Sequence, residues 1–353
     1  MPNERTMRPL FTGLFLKGLE DPSREKELFW RNFKIICLLA ELEEASNYSP
    51  TSEQRTMLLS YRPMYHLHSA FFEGVDNWEE EHQALQELLD KDIINDAEYE
   101  NMQMPIMNYP LSPFMRKTIV DMAARHVSKP ENTLIINCGT GALIDELSEE
   151  MKKSNLTGVE INSLEARIAN YLFKDKTIEH NSLSGVSLTN NTYDVVIGST
   201  PRADFLIKDY SLVDDKLDGQ YQIPSLPVQE YYLTKALQKL KPNGVLVLAI
   251  GHEVLDKEDS YWRRYLAKRA EFLGALRLSK DSFLSPSVGE PIIMDIICLR
   301  KRTEVLTSLT DDELWVNTSY QAELCKSINS YFAAHLEQIL PDLGERKIMN
   351  EQA

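Results

Sequence analysis

The stretch from Thr133 to Arg300 alternates short apolar runs with amphipathic segments of about a dozen residues, and few folds accept that alternation. The apolar runs at Thr133–Asn137, Leu156–Glu160, Thr177–His180, Asp194–Gly198 and Gly244–Ile250 read as strands. Leu143–Lys153, Leu164–Phe173 and Val228–Leu240 read as the helices between them. A strand followed by a helix before its next partner pairs in parallel, so the segment predicts an α/β, doubly wound sheet with helices on both faces. Two further strands are expected at Gly274–Leu278 and Pro291–Arg300. The second is apolar almost throughout (Ile292, Ile293, Met294, Ile296, Ile297), as burial on both faces requires.

The flanks read differently. Before this segment, helical spacing is seen at Phe29–Glu44, Ser52–Tyr61 and Asn77–Asp90, and Pro63 stops the second helix. Tyr109-Pro110-Leu111-Ser112-Pro113 leads into an amphipathic helix, Phe114–His126. After it, Thr310 before Asp311-Asp312-Glu313 resembles a helix cap, and a long helix is expected over Tyr320–Leu340. The organisation expected is a helical region over 1–104, an α/β domain over 105–302 and a helical tail over 303–353.

The first strand runs into Asn137-Cys138-Gly139-Thr140-Gly141 and then a helix. Glycines there let a ligand approach the backbone. Glu160 ends the next strand about 20 residues on, where a carboxylate accepts hydrogen bonds from ribose hydroxyls. The pair fits a dinucleotide or an S-adenosylmethionine site, and spacing alone does not choose.

Composition bounds the partners. The formal net charge of -16 lowers the expectation of strong standalone binding to nucleic acid, although a local basic face stays compatible with it. Between Glu73 and Glu100 stand eleven acidic residues and one lysine, a solvated helical face or, alternatively, a surface for a basic protein partner or a mimic of nucleic-acid charge. Cys37, Cys138, Cys298 and Cys325 are scattered without metal-ligand spacing, and His66, His68, His252 and Glu253 match no metal motif. With no apolar run long enough to span a bilayer and no leader-like start, a cytoplasmic protein with no membrane partner is expected.

Taken in order, several segments resemble the adenine-specific (N6) DNA methylase domains of phage and conjugative-element methylase–helicase proteins. They include Ala97-Glu98-Tyr99, Tyr109–Pro113, the glycine loop, Gly158-Val159-Glu160 with Ala166-Arg167-Ile168-Ala169, and Glu230-Tyr231-Tyr232 with Lys235-Ala236-Leu237. Leu240–Val245, Leu273–Leu278 and Asp295-Ile296-Ile297 with Lys301-Arg302 continue the match. The resemblance implies a Rossmann-like class I methyltransferase fold using S-adenosylmethionine, with a flipped base as substrate. It implies cofactor contacts from Tyr109, Ser112, Pro113, Asn137, Cys138, Gly139, Gly141, Glu160, Ile161 and Asn181. It places catalysis at Ser199, Pro201 and Arg202, and a bacterial host cytoplasm as the setting.

Two departures stand out. The family's fourth strand ends in Asn or Asp, then Pro-Pro, then an aromatic residue; here it ends in Ser199-Thr200-Pro201-Arg202. Serine still accepts one hydrogen bond, and a guanidinium still stacks on a base while adding charge. The strand before the glycine loop offers only Leu134-Ile135-Ile136 where the family carries an acid. Kept scaffold and altered site residues predict impaired catalysis. Three functions follow as alternatives: an active DNA adenine methyltransferase, an inactive pseudo-methyltransferase serving as a scaffold or counter-defence protein, or a DNA-binding subunit of a separate catalytic chain. Arg263, Arg264, Lys268 and Arg269 form a basic helix that either meets phosphate or packs through Trp262, Leu266 and Phe272.

Overall fold

The computed structural model describes residues 22–46, 49–64, 67–103, 111–212, 225–278, 293–310, 313–322 and 326–340. Five helices open the chain: α1 (Pro22–Glu44), α2 (Ser52–Leu59), α3 (His68–Phe71), α4 (Glu79–Asp90) and α5 (Asp96–Met102). Then come α6 (Pro113–Ala124), β1 (Asn132–Ile136), α7 (Ala142–Glu146), α8 (Glu149–Lys152), β2 (Asn155–Glu160), α9 (Ser163–Leu172) and β3 (Thr177–His180). These lead to β4 (Tyr193–Ser199), β5 (Leu206–Lys208), β6 (Ser225–Pro227), α10 (Val228–Lys239) and β7 (Leu240–Gly251). The remainder is α11 (Glu253–Asp256), α12 (Tyr261–Ala267), β8 (Ala270–Leu278), β9 (Met294–Lys301), β10 (Thr318–Gln321), β11 (Lys326–Asn329) and α13 (Ser330–Ala334).

Seven strands form one sheet in the order β3-β2-β1-β4-β7-β9-β8. All neighbours pair in parallel except β9, which runs antiparallel to β7 and to β8. The chain therefore winds outward from β1 in one direction, returns, and winds outward in the other. This is a doubly wound α/β sheet, with helices on both faces as expected. The strand order reverses between β1 and β4, and α/β sheets place their ligand crevice at such a point.

Alternation along the central strands builds two cores. Leu134, Ile136, Val196, Leu246 and Leu248 point to the face covered by α10 and α12. Ile135, Val195, Ile197, Val245 and Val247 point to the face covered by α6 and α7. Each of these side chains is essentially removed from water, worth about 2 kcal/mol apiece in transfer terms. A third core belongs to the first five helices, and it seals onto the sheet through Leu164, Ile168 and Tyr171 of α9. Arg167 on the same helix clamps that junction, pairing with Glu43 at 2.6 Å and with Glu98 at 3.2 Å.

The expected helix Leu143–Lys153 is two short helices, broken at Leu147-Ser148, where Ser148 caps α8 through Met151 N–H. The expected long helix over Tyr320–Leu340 is absent among the described residues. Strands β10 and β11 pair there, followed by one short helix. Asn329 is the reason. Fully buried, it donates from Nδ2 to the carbonyls of Leu255 and Trp315, and its Oδ1 caps α13. Those tertiary bonds override a helical spacing that carried no cap signal of its own. Thr310 is described, but Asp311 and Asp312 of the expected cap lie outside the described residues. So do Tyr109, Pro110, His66, Cys325, Pro291 and Ile292.

Candidate functional site

The site is built where β1, β2 and β4 end. Asn137 takes a left-handed conformation (φ 49°), as do Gly139 (φ 56°) and Gly141 (φ 91°), and the chain turns sharply from β1 into α7. A side chain at Gly141 would run into the Phe173 ring. At Gly139 a Cβ would lie 3.3 Å from Glu165 Oε1 and would fill the space beside that carboxyl.

Glu160, the last residue of β2, is wholly buried. Its Oε2 accepts the Gly139 N–H at 2.8 Å and its Oε1 accepts the Asn162 N–H at 2.8 Å. The carboxylate is thereby fixed against the first glycine of the loop. Asn181 follows β3 and donates its backbone N–H to Glu160 O at 2.9 Å, while His180 Nε2 contacts Ile161 O at 3.1 Å. Residues 137–141, 160–161 and 180–181, expected to act together, are therefore together.

Ser112 stands slightly apart. Its hydroxyl is committed as the N-cap of α6, accepting Met115 N–H, and Pro113 follows at the first helical position. The contact to the site runs through α6 packing on α7. Cys138 is buried within the loop, and burial together with Glu160 and Glu165 holds its thiol well above the ordinary range, which favours the neutral thiol over the thiolate.

At the end of β4 the backbone passes β1 so closely that Gly198 (φ 137°) has room for no side chain against Ile136 O. Ser199 is buried beside the glycine loop, and its carbonyl accepts from Asn137 Nδ2 at 2.7 Å. Thr200 donates its hydroxyl to Gln229 Oε1 at 2.9 Å, and Gly251 N–H reaches the same oxygen at 2.7 Å. Gln229 Nε2 donates to Glu253 Oε1 at 2.8 Å, and Arg202 pairs with that oxygen at 3.2 Å. Thr200, Gln229, Glu253 and Arg202 thus form one connected polar network from β4 to the loop after β7. Ser199, Pro201 and Arg202 do come together, but Arg202 is turned to Glu253.

Sequence reasoning did not single out Gln229, Glu165 or Tyr61-Arg62. Asn162-x-x-Glu165 was legible only as a helix-capping pattern, and nothing in spacing brings α2 to the glycine loop. The structure does so: Thr140 Oγ1 donates to Leu59 O at 3.1 Å, and the Arg55 guanidinium lies over Phe173. Of the four cations of the basic helix one is buried, Arg263; Arg264 is exposed, and Lys268 and Arg269 are half-buried. Arg263 is buried and donates to the carbonyls of Val316, Val254 and Lys257. Arg269 packs over Tyr265. Of the acidic stretch, Glu81 and Glu98 are buried in structural bonds with Lys26, Trp30 and Arg167, and the other nine residues are exposed. Among the described residues no cluster suits a metal ion, and no helix is long and apolar enough to cross a membrane.

No protein-family model matches the chain, and no curated protein matches it. Solved structures do. One is a protein of Listeria monocytogenes assigned as a class I S-adenosylmethionine-dependent methyltransferase, at 14% identity over 82% of this chain and 91% of that one, with a TM-score of 0.46. Another is the type I restriction-modification methyltransferase subunit of Streptococcus thermophilus, at 14% identity over 79% and 80%, with a TM-score of 0.45. A third is the N-methyltransferase NodS of Bradyrhizobium japonicum bound to S-adenosylhomocysteine, at 16% identity over 54% and 88%, with a TM-score of 0.33. At these identities the likeness is one of general fold, and the site rests on the geometry above.

Proposed function

We propose that this chain is an S-adenosylmethionine-binding, DNA-methylase-like protein whose base-binding corner has become structural, so that it serves as a scaffold rather than an efficient adenine-N6 methyltransferase. The observation that carries the first half is Glu160, fixed by the Gly139 N–H against the glycine turn between β1 and α7. When bound there, the cofactor supplies an electrophilic methyl group. The glycine loop would meet its methionine end, Glu160 would accept from its ribose hydroxyls, and Asn181 would lie beside its adenine. Tyr109, Ser112 and Pro113 belong to the segment that would close over it. The chain's residues fit the group in kind: a buried carboxylate at Glu160, a glycine-containing turn, and the Glu165 carboxyl, whose Oε2 has no hydrogen-bond partner among the described residues.

The second half rests on the Thr200–Gln229–Glu253–Arg202 network. An amino methylase needs an acceptor side chain and a free backbone carbonyl at this corner to make the target nitrogen more nucleophilic. Here the Ser199 carbonyl already accepts from Asn137, and the residue in the aromatic position is ion-paired to Glu253. The setting we infer is a phage or mobile element in a bacterial cytoplasm, with a protein partner on the acidic face of residues 73–100 and at most weak DNA binding.

The competing reading is an active methyltransferase, favoured by Ser199, which keeps a hydroxyl at the end of β4 beside the glycine loop. Two measurements decide. Titration calorimetry should register S-adenosylmethionine binding, and its absence would remove both readings. Labelled methyl transfer to unmethylated DNA should stay at background; transfer above background restores the enzyme.

A further inference from the structure

We infer that Glu165 is a ligand-contacting residue which, beside Glu160, receives a positively charged group of the bound molecule. This rests on the reading of the Gly139–Glu160 loop as an S-adenosylmethionine site, and it adds a residue that no feature of that loop requires. The starting point is a helix cap that is half made. At α5, Asn95-x-x-Glu98 closes a full reciprocal box: Asn95 Oδ1 accepts Glu98 N–H, and Glu98 Oε2 accepts Asn95 N–H at 3.0 Å. At α9, Asn162-x-x-Glu165 has the same residues at the same spacing, and Asn162 Oδ1 accepts Glu165 N–H at 3.0 Å. The return bond is missing, because Asn162 N–H is already taken by Glu160.

Glu165 is therefore released from the helix and turns onto the loop. Its Oε1 lies where a Cβ on Gly139 would meet it. Its Oε2 has no hydrogen-bond partner among the described residues, although the residue is only 7% exposed. A buried carboxyl oxygen without a partner is costly, and such groups persist where something else satisfies them. The surrounding groups are the Glu160 carboxylate, the Cys138 thiol, the Tyr61 hydroxyl (also buried and without a partner) and the Arg62 guanidinium. Burial and Glu160 hold the Glu165 carboxyl well above the ordinary range, and Arg62 pulls the other way. No ion pair joins Arg62 to Glu165 among the described residues; Arg62 Nη1 donates to Tyr61 O instead.

Two carboxyl groups flanking one glycine suit a cation. S-adenosylmethionine carries two, an α-ammonium and a sulfonium. S-adenosylhomocysteine carries only the ammonium, and 5′-methylthioadenosine carries neither. Binding the cation would drive Glu165 to release whatever proton it holds, leaving the covalent structure of both partners unchanged.

The test is titration calorimetry of the full chain and of Glu165→Gln with these three ligands. We expect Glu165→Gln to weaken S-adenosylmethionine by about tenfold or more and to leave 5′-methylthioadenosine within about twofold. S-adenosylhomocysteine follows the first if the ammonium is the contact and the second if the sulfonium is; either supports the inference. Repeating the wild-type titration in buffers of different ionisation enthalpy should show proton release with S-adenosylmethionine and none with 5′-methylthioadenosine. That measurement decides alone should the variant not fold. If wild type binds S-adenosylmethionine with no proton release at any pH above about 4.3, or the folded variant binds it equally well, Glu165 is not a contact, while the cofactor reading stands. If wild type binds none of the three, both fall together.

Discussion

The side-chain amide of Asn137 donates to the main-chain carbonyl of Ser199 across 2.7 Å, so the turn that ends β1 is tied to the end of β4. Asn137 also holds a left-handed backbone, which asparagine tolerates better than most residues. Replacing it separates the two roles. Asn137→Gly removes the bond, about 1 kcal/mol, and keeps the conformation. Asn137→Ala removes the same bond and adds about 1–2 kcal/mol of backbone strain. Urea unfolding should therefore rank wild type above Asn137→Gly above Asn137→Ala, and a reversed order of the two variants would show that the conformation is not held in solution.

The polar network at the end of β4 has a keystone, and it is not the charged pair. Arg202 and Glu253 are both partly exposed, so their ion pair is worth at most about 1 kcal/mol. Gln229 is buried and joins Thr200, Gly251 and Glu253. Gln229→Ala leaves the buried Gly251 N–H unpaired, at about 1–3 kcal/mol, and the Thr200 hydroxyl with only its long contact to Ala249 O at 3.5 Å. Denaturant midpoints should fall clearly for Gln229→Ala and barely for Arg202→Ala. Equal losses would mean that Arg202 carries structure the contacts do not reveal.

The sheet was legible because apolar strands and amphipathic helices differ in period, and the expected strand positions hold to within a few residues. β3 matches at both ends. The glycine loop and Glu160 were legible because turn chemistry and carboxylate position are local. What escaped was every feature decided by a distant partner. Asn329 makes its bonds to Leu255 and Trp315, far off in sequence, and so an apparent helix became a strand pair and a cap. For Arg263 the sequence leaves phosphate contact and packing as alternatives; only the carbonyls of Val254, Lys257 and Val316 around it reveal a buried brace. Glu165 reads as an ordinary cap until Glu160 is seen to occupy its acceptor role.

A buried acid held above its ordinary range makes the ligand-free protein pH-sensitive in a defined direction. The folded state retains the Glu165 proton at pH values where the unfolded chain has lost it. Stability from this group is full below about pH 4.3, the unfolded value, and is lost as pH rises toward the folded value. Glu165→Gln mimics the protonated acid at every pH. Without ligand, the variant should be more stable than wild type at pH 7 and should close that gap as the pH falls to about 4. A wild type at least as stable as the variant at pH 7 would place a cation, not a proton, on Glu165 in the free protein.

Arg263 gives the sharpest test of the basic helix. Its guanidinium spans three carbonyls on two separate segments: Nε to Val316 at 2.8 Å, and, on α11 and its C-terminal cap, Nη1 to Val254 at 3.2 Å and Nη2 to Lys257. A lysine keeps the charge but presents one compact ammonium that cannot reach three divergent acceptors. Arg263→Lys should cost about 2–4 kcal/mol, since at least two buried carbonyls lose a charged donor. If the helix instead served phosphate, the same substitution would leave stability intact and weaken DNA binding with a reduced salt slope. Thermal unfolding together with DNA titration at two salt concentrations separates the outcomes, and the burial of Arg263 predicts the loss of stability.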